Sequence, residues 1–275
     1  MRNLLFIFFL SLALQSRGQA VYRISYPMYS EQLEQLANSG DLCAKTLLAE
    51  YYIGGKGVEK NCSKAFNILS SAVSENHHDL GLAYYLLGHC YEEGCGVKQN
   101  FKEAFDMYQK SSDLEESTGI LSLARCYEEG IGVKIDYKKA AELYEKVLSG
   151  FWGNRRYTKV RVGNIYLFEL GETEKGLKYL KEAADAGSGA ALYYLGQAYD
   201  SGTGVQKNPQ NAVEYYQQSI DAETYPFVLT ILADHYYEGN GVKKDIERAI
   251  ELYKDAARMG DETAKEKLKE IEQLH

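Results

Sequence analysis

Three groups of residues in this chain could do chemistry. His77, His78 and Asp79 offer nitrogen and oxygen atoms to a metal ion. Adjacent residues point in different directions, and no Cys or His at ligand spacing joins them, so they are expected to form a polar loop and no metal is expected. Gly94-Cys95-Gly96-Val97 offers backbone N–H groups to a phosphate. It has no third glycine, no Gly-Lys-Ser/Thr follows, and it joins helix to helix, so it is a turn; no cofactor is expected. The third group is Cys43, Cys62, Cys90, Cys95 and Cys126, all in the first half of the chain. Five cysteines cannot all pair within one chain. A Cys62–Cys95 bridge is the best single pairing, and it requires Cα atoms within about 7 Å. Buried free thiols are the alternative. Asn61-Cys62-Ser63 also matches a glycosylation sequon, which matters only in a eukaryotic source.

The elements that position these residues repeat. Gly-x-Gly-Val recurs at Gly55–Val58, Gly94–Val97, Gly130–Val133, Gly202–Val205 and Gly239–Val242. The second glycines stand at 57, 96, 132, 204 and 241, giving steps of 39, 36, 72 and 37. The double step holds a degenerate copy, Val162-Gly163-Asn164-Ile165-Tyr166 running on to Glu169-Leu170-Gly171, with a turn three residues shorter. Six copies at this period indicate a repeat architecture.

Within a copy, Ala83, Leu87, Gly88 and Tyr91 share one side of a helix. The glycine pair ends that helix because glycine accepts positive φ. A second helix follows, marked by Ala104/Tyr108, Ala140/Tyr144, Ala212/Tyr216 and Ala249/Tyr253 at i, i+4. Each copy is a helical hairpin that cannot bury its apolar face alone, so neighbours must stack. Residues 44–79, 80–115, 116–155, 156–187, 188–223 and 224–259 are the expected copies. Residues 21–43 hold a lead-in and a capping helix, and residues 260–275 a second capping helix. The expected class is all-α: a right-handed α-solenoid of stacked antiparallel helix pairs.

Residues 1–20 differ from the rest. Arg2 precedes an apolar run from Leu4 to Leu14, and Gly18 and Ala20 occupy the −3 and −1 places of a cleavage site. This is the pattern of a secretory signal peptide, and the run is short for a membrane span. Its removal takes away Arg2 and Arg17 and no acid, moving the net charge from -8 to -10. The expected location is secreted, periplasmic or in the lumen of the endoplasmic reticulum, with no stable membrane span. So acidic a chain is not expected to bind nucleic acid.

The phrase Ala-x-x-x-Leu-Gly-x-x-Tyr-x-x-Gly-x-Gly-Val, followed by Ala-x-x-x-Tyr, resembles the Sel1-like repeat family of tetratricopeptide-like solenoids from about Leu36 to the C-terminus. The resemblance implies a superhelix whose first helices line a concave face. It also implies a non-catalytic adaptor that holds a protein or peptide. Some secreted relatives implied by it are penicillin-binding or β-lactamase-like enzymes. No Ser here has Lys three residues later, and Ser-Asp-Asn, Lys-Thr-Gly and Gly-x-Ser-x-Gly are absent, which disfavours that alternative.

Binding residues are expected opposite the buried stripe. At 100° per residue, the position two before the anchor tyrosine points roughly 160° away from it. It holds Glu50, His89, Arg125, Asn164, Gln197 and Asp234, all polar and all different. Tyr85, Tyr157, Tyr193 and Phe227 stand nearby. Aromatic and arginine side chains supply much of the binding energy at interfaces.

Overall fold

The computed structural model describes residues 31–74, 80–150 and 155–273. The expected signal peptide, His77-His78-Asp79 and positions 151–154 lie outside the described residues. The chain divides into two compact units, meeting in sequence at Ile135 and Asp136. The described part of the first contains α1 (Glu31–Asn38), α2 (Leu42–Gly54), α3 (Cys62–Val73), α4 (Gly81–Glu93), α5 (Phe101–Asp113) and α6 (Ser117–Glu129). The second contains α7 (Tyr137–Ser149), α8 (Arg155–Asn164), α9 (Thr173–Asp185), α10 (Gly189–Ser201), α11 (Pro209–Ala222), α12 (Pro226–Glu238), α13 (Ile246–Arg258) and α14 (Glu262–Gln273). No strand occurs among the described residues. The all-α class and the stacked helix pairs are as expected. In the first unit α2 pairs with α3 and α4 with α5; in the second α8 pairs with α9, α10 with α11, and α12 with α13. Each pair then packs on the next, through α3 on α4, α5 on α6, α9 on α10 and α11 on α12.

The repeated phrase builds one turn. The first glycine, as at Gly94 (φ 70°), ends the first helix in the left-handed region, and its N–H donates to the carbonyl four residues back. The anchor tyrosine's carbonyl then accepts from a residue nine positions on: Asn100 N–H to Tyr91 at 2.9 Å, Asn208 to Tyr199 at 2.8 Å, Asp245 to Tyr236 at 2.9 Å. That same Asn or Asp caps the second helix with its side chain, as Asn61 does for Lys64 N–H and Asp245 for Arg248 N–H. The second glycine rests on the start of the preceding copy's second helix. A Cβ on Gly132 would lie 2.0 Å from the Phe101 carbonyl oxygen, and one on Gly96 would lie 2.3 Å from that of Cys62. The Gly-x-Gly spacing therefore joins a turn inside one copy to a contact between copies.

The small residue of the first helix lets the second helix approach closely. A Cβ on Gly88 would meet ring carbons of Tyr108 at 2.7 Å, so α5 lies directly against α4 there. Tyr108, Tyr144 and Tyr253 of the second helices are fully buried. The first-helix anchors divide: Tyr52 and Tyr166 are buried, whereas Tyr91, Tyr127, Tyr199 and Tyr236 are half-buried, with Tyr91 meeting Phe66 edge-on at 5.5 Å and Tyr127 meeting Phe105 in the same way. Tyr91 and Phe66 both pack against the buried apolar cluster of the first unit, so this contact between copies is continuous with the core.

The fourth copy departs where its sequence does. Ile165–Glu169 forms one widened helical turn, closed by the Leu170 N–H on the Ile165 carbonyl. The Tyr166 carbonyl accepts from Glu172, six residues on rather than nine. The turn shortens by the three missing residues, and α9 begins without a side-chain cap.

Candidate partner-binding surfaces

In the first unit the first helices bring Glu50 and Arg125 each into electrostatic reach of Tyr85. Arg125 on α6 reaches across to α4, where its guanidinium contacts both oxygens of Glu92 at 2.6 Å. Glu92 also accepts from the Tyr108 hydroxyl at 2.6 Å. Burial opposes the Glu92 charge, but the two donors outweigh it and hold the carboxyl below its usual range. The same balance raises Arg125, which stays charged, while burial and the Glu92 bond push Tyr108 upward. Tyr85 lies 6.1 Å from Tyr108, ring to ring, with the planes tilted by 34°. Arg125 is therefore a link between neighbouring copies, not a side chain projecting freely into solvent. Glu50 is exposed and His89 half-buried.

In the second unit, Tyr193, Gln197 and Asp234 line one cleft of about 330 Å³ with Asp200, Tyr216, Ile231, His235, Glu238 and Asn240. Phe227 packs edge-on against Tyr193, centroids 5.0 Å apart, and is 42% exposed. Asp234 accepts a hydrogen bond from the Tyr253 hydroxyl. Its position, expected to face away from the core, thus touches the second helix of its own copy. The buried His235 shares a hydrogen bond through Nδ1 with the Asn240 carbonyl at 2.8 Å, and its Nε2 lies 3.5 Å from Asp200. Burial, and then Asp200, push the Tyr216 hydroxyl upward. Tyr157 is exposed and Asn164 half-buried on α8, and neither lines this cleft.

Glu92, Asp200, Tyr216 and His235 were missing from the sequence-derived set. A signal for two of them exists: the residue directly after the anchor tyrosine is Glu92, Glu128 or Asp200 in three copies, an acid recurring where a helix flank turns toward the next copy.

The structure brings Cys62 and Cys95 together in a disulfide, with Cα atoms 4.9 Å apart. It joins the first residue of α3 to the turn after α4, and so one copy to the next. Cys90 and Cys126 are fully buried at matching places. Burial raises their thiols to about 11 and about 12, leaving them protonated and poor nucleophiles near neutral pH. Asn61 of the sequon is an exposed helix cap. Among the described residues, no group of three or more His, Cys, Asp or Glu could hold a metal ion, and no helix is long and apolar enough to cross a membrane.

Six segments match the Sel1 repeat model: residues 44–77, 81–115, 119–146, 160–188, 189–223 and 229–261. No curated protein matches the chain in sequence. Among solved structures, one similar to it is c5321, described as a protective antigen present in uropathogenic Escherichia coli strains displaying an SLR fold. The TM-score is 0.66 at 25% identity, over 86% of this chain and 50% of that one, so this chain spans half of that protein's length. A second is a Sel1 repeat protein from Oxalobacter formigenes, with TM-score 0.65 and 21% identity over 82% of this chain and 95% of that one.

Proposed function

Since this chain belongs to the Sel1 repeat family, we propose that it is a non-catalytic scaffold that binds a protein or peptide on the surface its first helices line. One observation carries this reading. Positions outside the repeated frame place aromatic rings beside charged groups on the same helices, and in the second unit Tyr193, Phe227 and Asp234 border a cleft. Aromatic side chains next to polar ones give interfaces both area and orientation. Glu50, Tyr85 and His89 in the first unit, and Tyr157, Asn164 and Gln197 in the second, are the further proposed contact residues. The partner is proposed to be met in the secretory pathway, cell envelope or outside the cell, since residues 1–20 have the pattern of a cleaved leader.

The test is affinity capture from the native compartment with the wild-type chain and with Y193A/F227A. The reading expects a discrete protein partner that the double variant loses at unchanged helical content. Equal capture by both chains overturns the surface. Catalytic turnover of nitrocefin would overturn the non-catalytic assignment.

A further inference from the structure

The two units contain the same arrangement with its two tyrosines kept, its acid shortened from Glu92 to Asp200, and its arginine replaced by Asp234. Counted from the anchor tyrosines, Tyr85, Glu92, Tyr108 and Arg125 of copies two and three correspond to Tyr193, Asp200, Tyr216 and Asp234 of copies five and six. The ring pairs match closely. Tyr85 and Tyr108 are 6.1 Å apart at 34°, and Tyr193 and Tyr216 are 6.2 Å apart at 33°. In the first unit the acid at the foot of this pair holds the Arg125 guanidinium in a two-oxygen contact. In the second unit Asp234 stands at the arginine's position, and the matching space is the open cleft. Among the described residues, Asp200, Asp234 and Glu238 form no ion pair with any Lys or Arg. His235 Nδ1 faces a carbonyl, which can only accept, so in the neutral ring Nδ1 carries the proton and Nε2 offers Asp200 no donor.

We propose that this cleft is a subsite for an arginine side chain of the bound protein partner, whose guanidinium takes the place that Arg125 fills in the first unit. The assignment rests on the interaction-scaffold reading and names the chemistry of what it holds. A guanidinium suits the site better than an ammonium. Its planar fork can meet both Asp200 oxygens, its remaining donors can serve Asp234, and its face can lie on Tyr193. The first unit carries out the same recognition within one chain.

The experiment titrates the full chain with acetyl-Gly-Arg-Gly-amide, and separately with the citrulline and lysine forms of that peptide, following Tyr and His ring signals by NMR. The arginine peptide should perturb Tyr193 and His235 selectively. The uncharged citrulline peptide, nearly identical in shape, should bind at least about tenfold more weakly, because charged hydrogen bonds are roughly twice as strong as neutral ones. The lysine peptide should also bind more weakly. D200N should weaken arginine-peptide binding at least about tenfold, and D234R should abolish it by supplying the guanidinium from within, both at unchanged helical circular dichroism. Equal binding of the citrulline or lysine peptide overturns the proposal. So does unchanged binding to D234R, or the absence of any arginine-peptide binding. If the arginine peptide fails while D234R still captures the wild-type protein partner, the subsite falls and the scaffold reading stands. If Y193A/F227A also captures that partner unchanged, the surface itself falls.

Discussion

Glu92 is 8% exposed and carries two donors from two different elements. Replacing it with glutamine removes the charge that balances Arg125. Breaking a buried ion pair from one side costs about 3–5 kcal/mol. Arg125 keeps 30% of its side-chain surface and a 3.6 Å contact with Glu129, so E92Q should lose about 2 kcal/mol at pH 7 in urea unfolding. The sign of the pH dependence follows from the depressed carboxyl. The unfolded chain binds the proton more readily than the folded one, so this stability is present above about pH 4.3, the free glutamate value, and is lost as pH falls through the folded value. The gap between wild type and E92Q should therefore close on acidification, and a gap that widens below pH 4 would refute the assignment. This ion pair was not legible in the sequence. Its partners stand 33 residues apart, and only the register of two neighbouring copies tells which flank of α4 meets which flank of α6. Tyr108 at core spacing, by contrast, was readable from periodicity alone.

The hairpin turn joins sequence signals that seem unrelated. Gly132 is at φ 68° and lies where a Cβ would strike the Phe101 carbonyl. Left-handed backbone costs an ordinary residue roughly 1–2 kcal/mol, and overpacking adds about 1–3. G132A should thus destabilise the chain by about 3 kcal/mol, measured by thermal unfolding, whereas S122A, on the partly exposed flank of α6, should change stability by less than about 0.5 kcal/mol. The glycines as a turn were plain in the sequence, but their role against the neighbouring copy was not, since that contact spans about a full repeat. The capping Asn or Asp three residues past each valine was readable and is the stronger sign of where the second helix begins.

Cys95 occupies the free middle place of such a turn and pairs with Cys62 at the start of α3. A cross-link 33 residues apart in sequence should contribute about 2–4 kcal/mol, chiefly by restricting the unfolded chain. C62S/C95S should unfold at correspondingly lower urea concentration. Intact mass before and after reduction should differ by two hydrogens for the wild type and not at all for the double variant. An unchanged wild-type mass would remove the bridge. Where a turn loses the Gly-x-Gly-Val phrase and keeps a single glycine, as Gly171 in the fourth copy, the chain instead widens Ile165–Glu169. The missing Gly-x-Gly-Val announced that departure, but a widened turn has no periodicity of its own to be read.

At the scale of the molecule, a stack of hairpins gains its cohesion from neighbours, so each copy is only as firmly held as the contacts above and below it. The last helix illustrates the dependence. α14 is polar except for a thin stripe, of which Ala264 and Ile271 are buried, and it packs on α13 and, less, on α12. Ala264 is wholly excluded from solvent, so A264D would place a carboxylate within the apolar cluster that also holds Leu252 and Ala256. An unpaired charge there is more costly than the contact it replaces, and α14 should detach rather than bury it. Its loss exposes the apolar face of α13, which no longer has a following element to cover it. Opening in a repeat array then spreads from the end inward, weakening with each interface. Amide hydrogen exchange of A264D should accelerate most in α14, less in α13 and α12, and least in α11 and α10. Equal acceleration across all five helices would mean that they open as one cooperative body, and that the nearest-neighbour account of this stack is wrong.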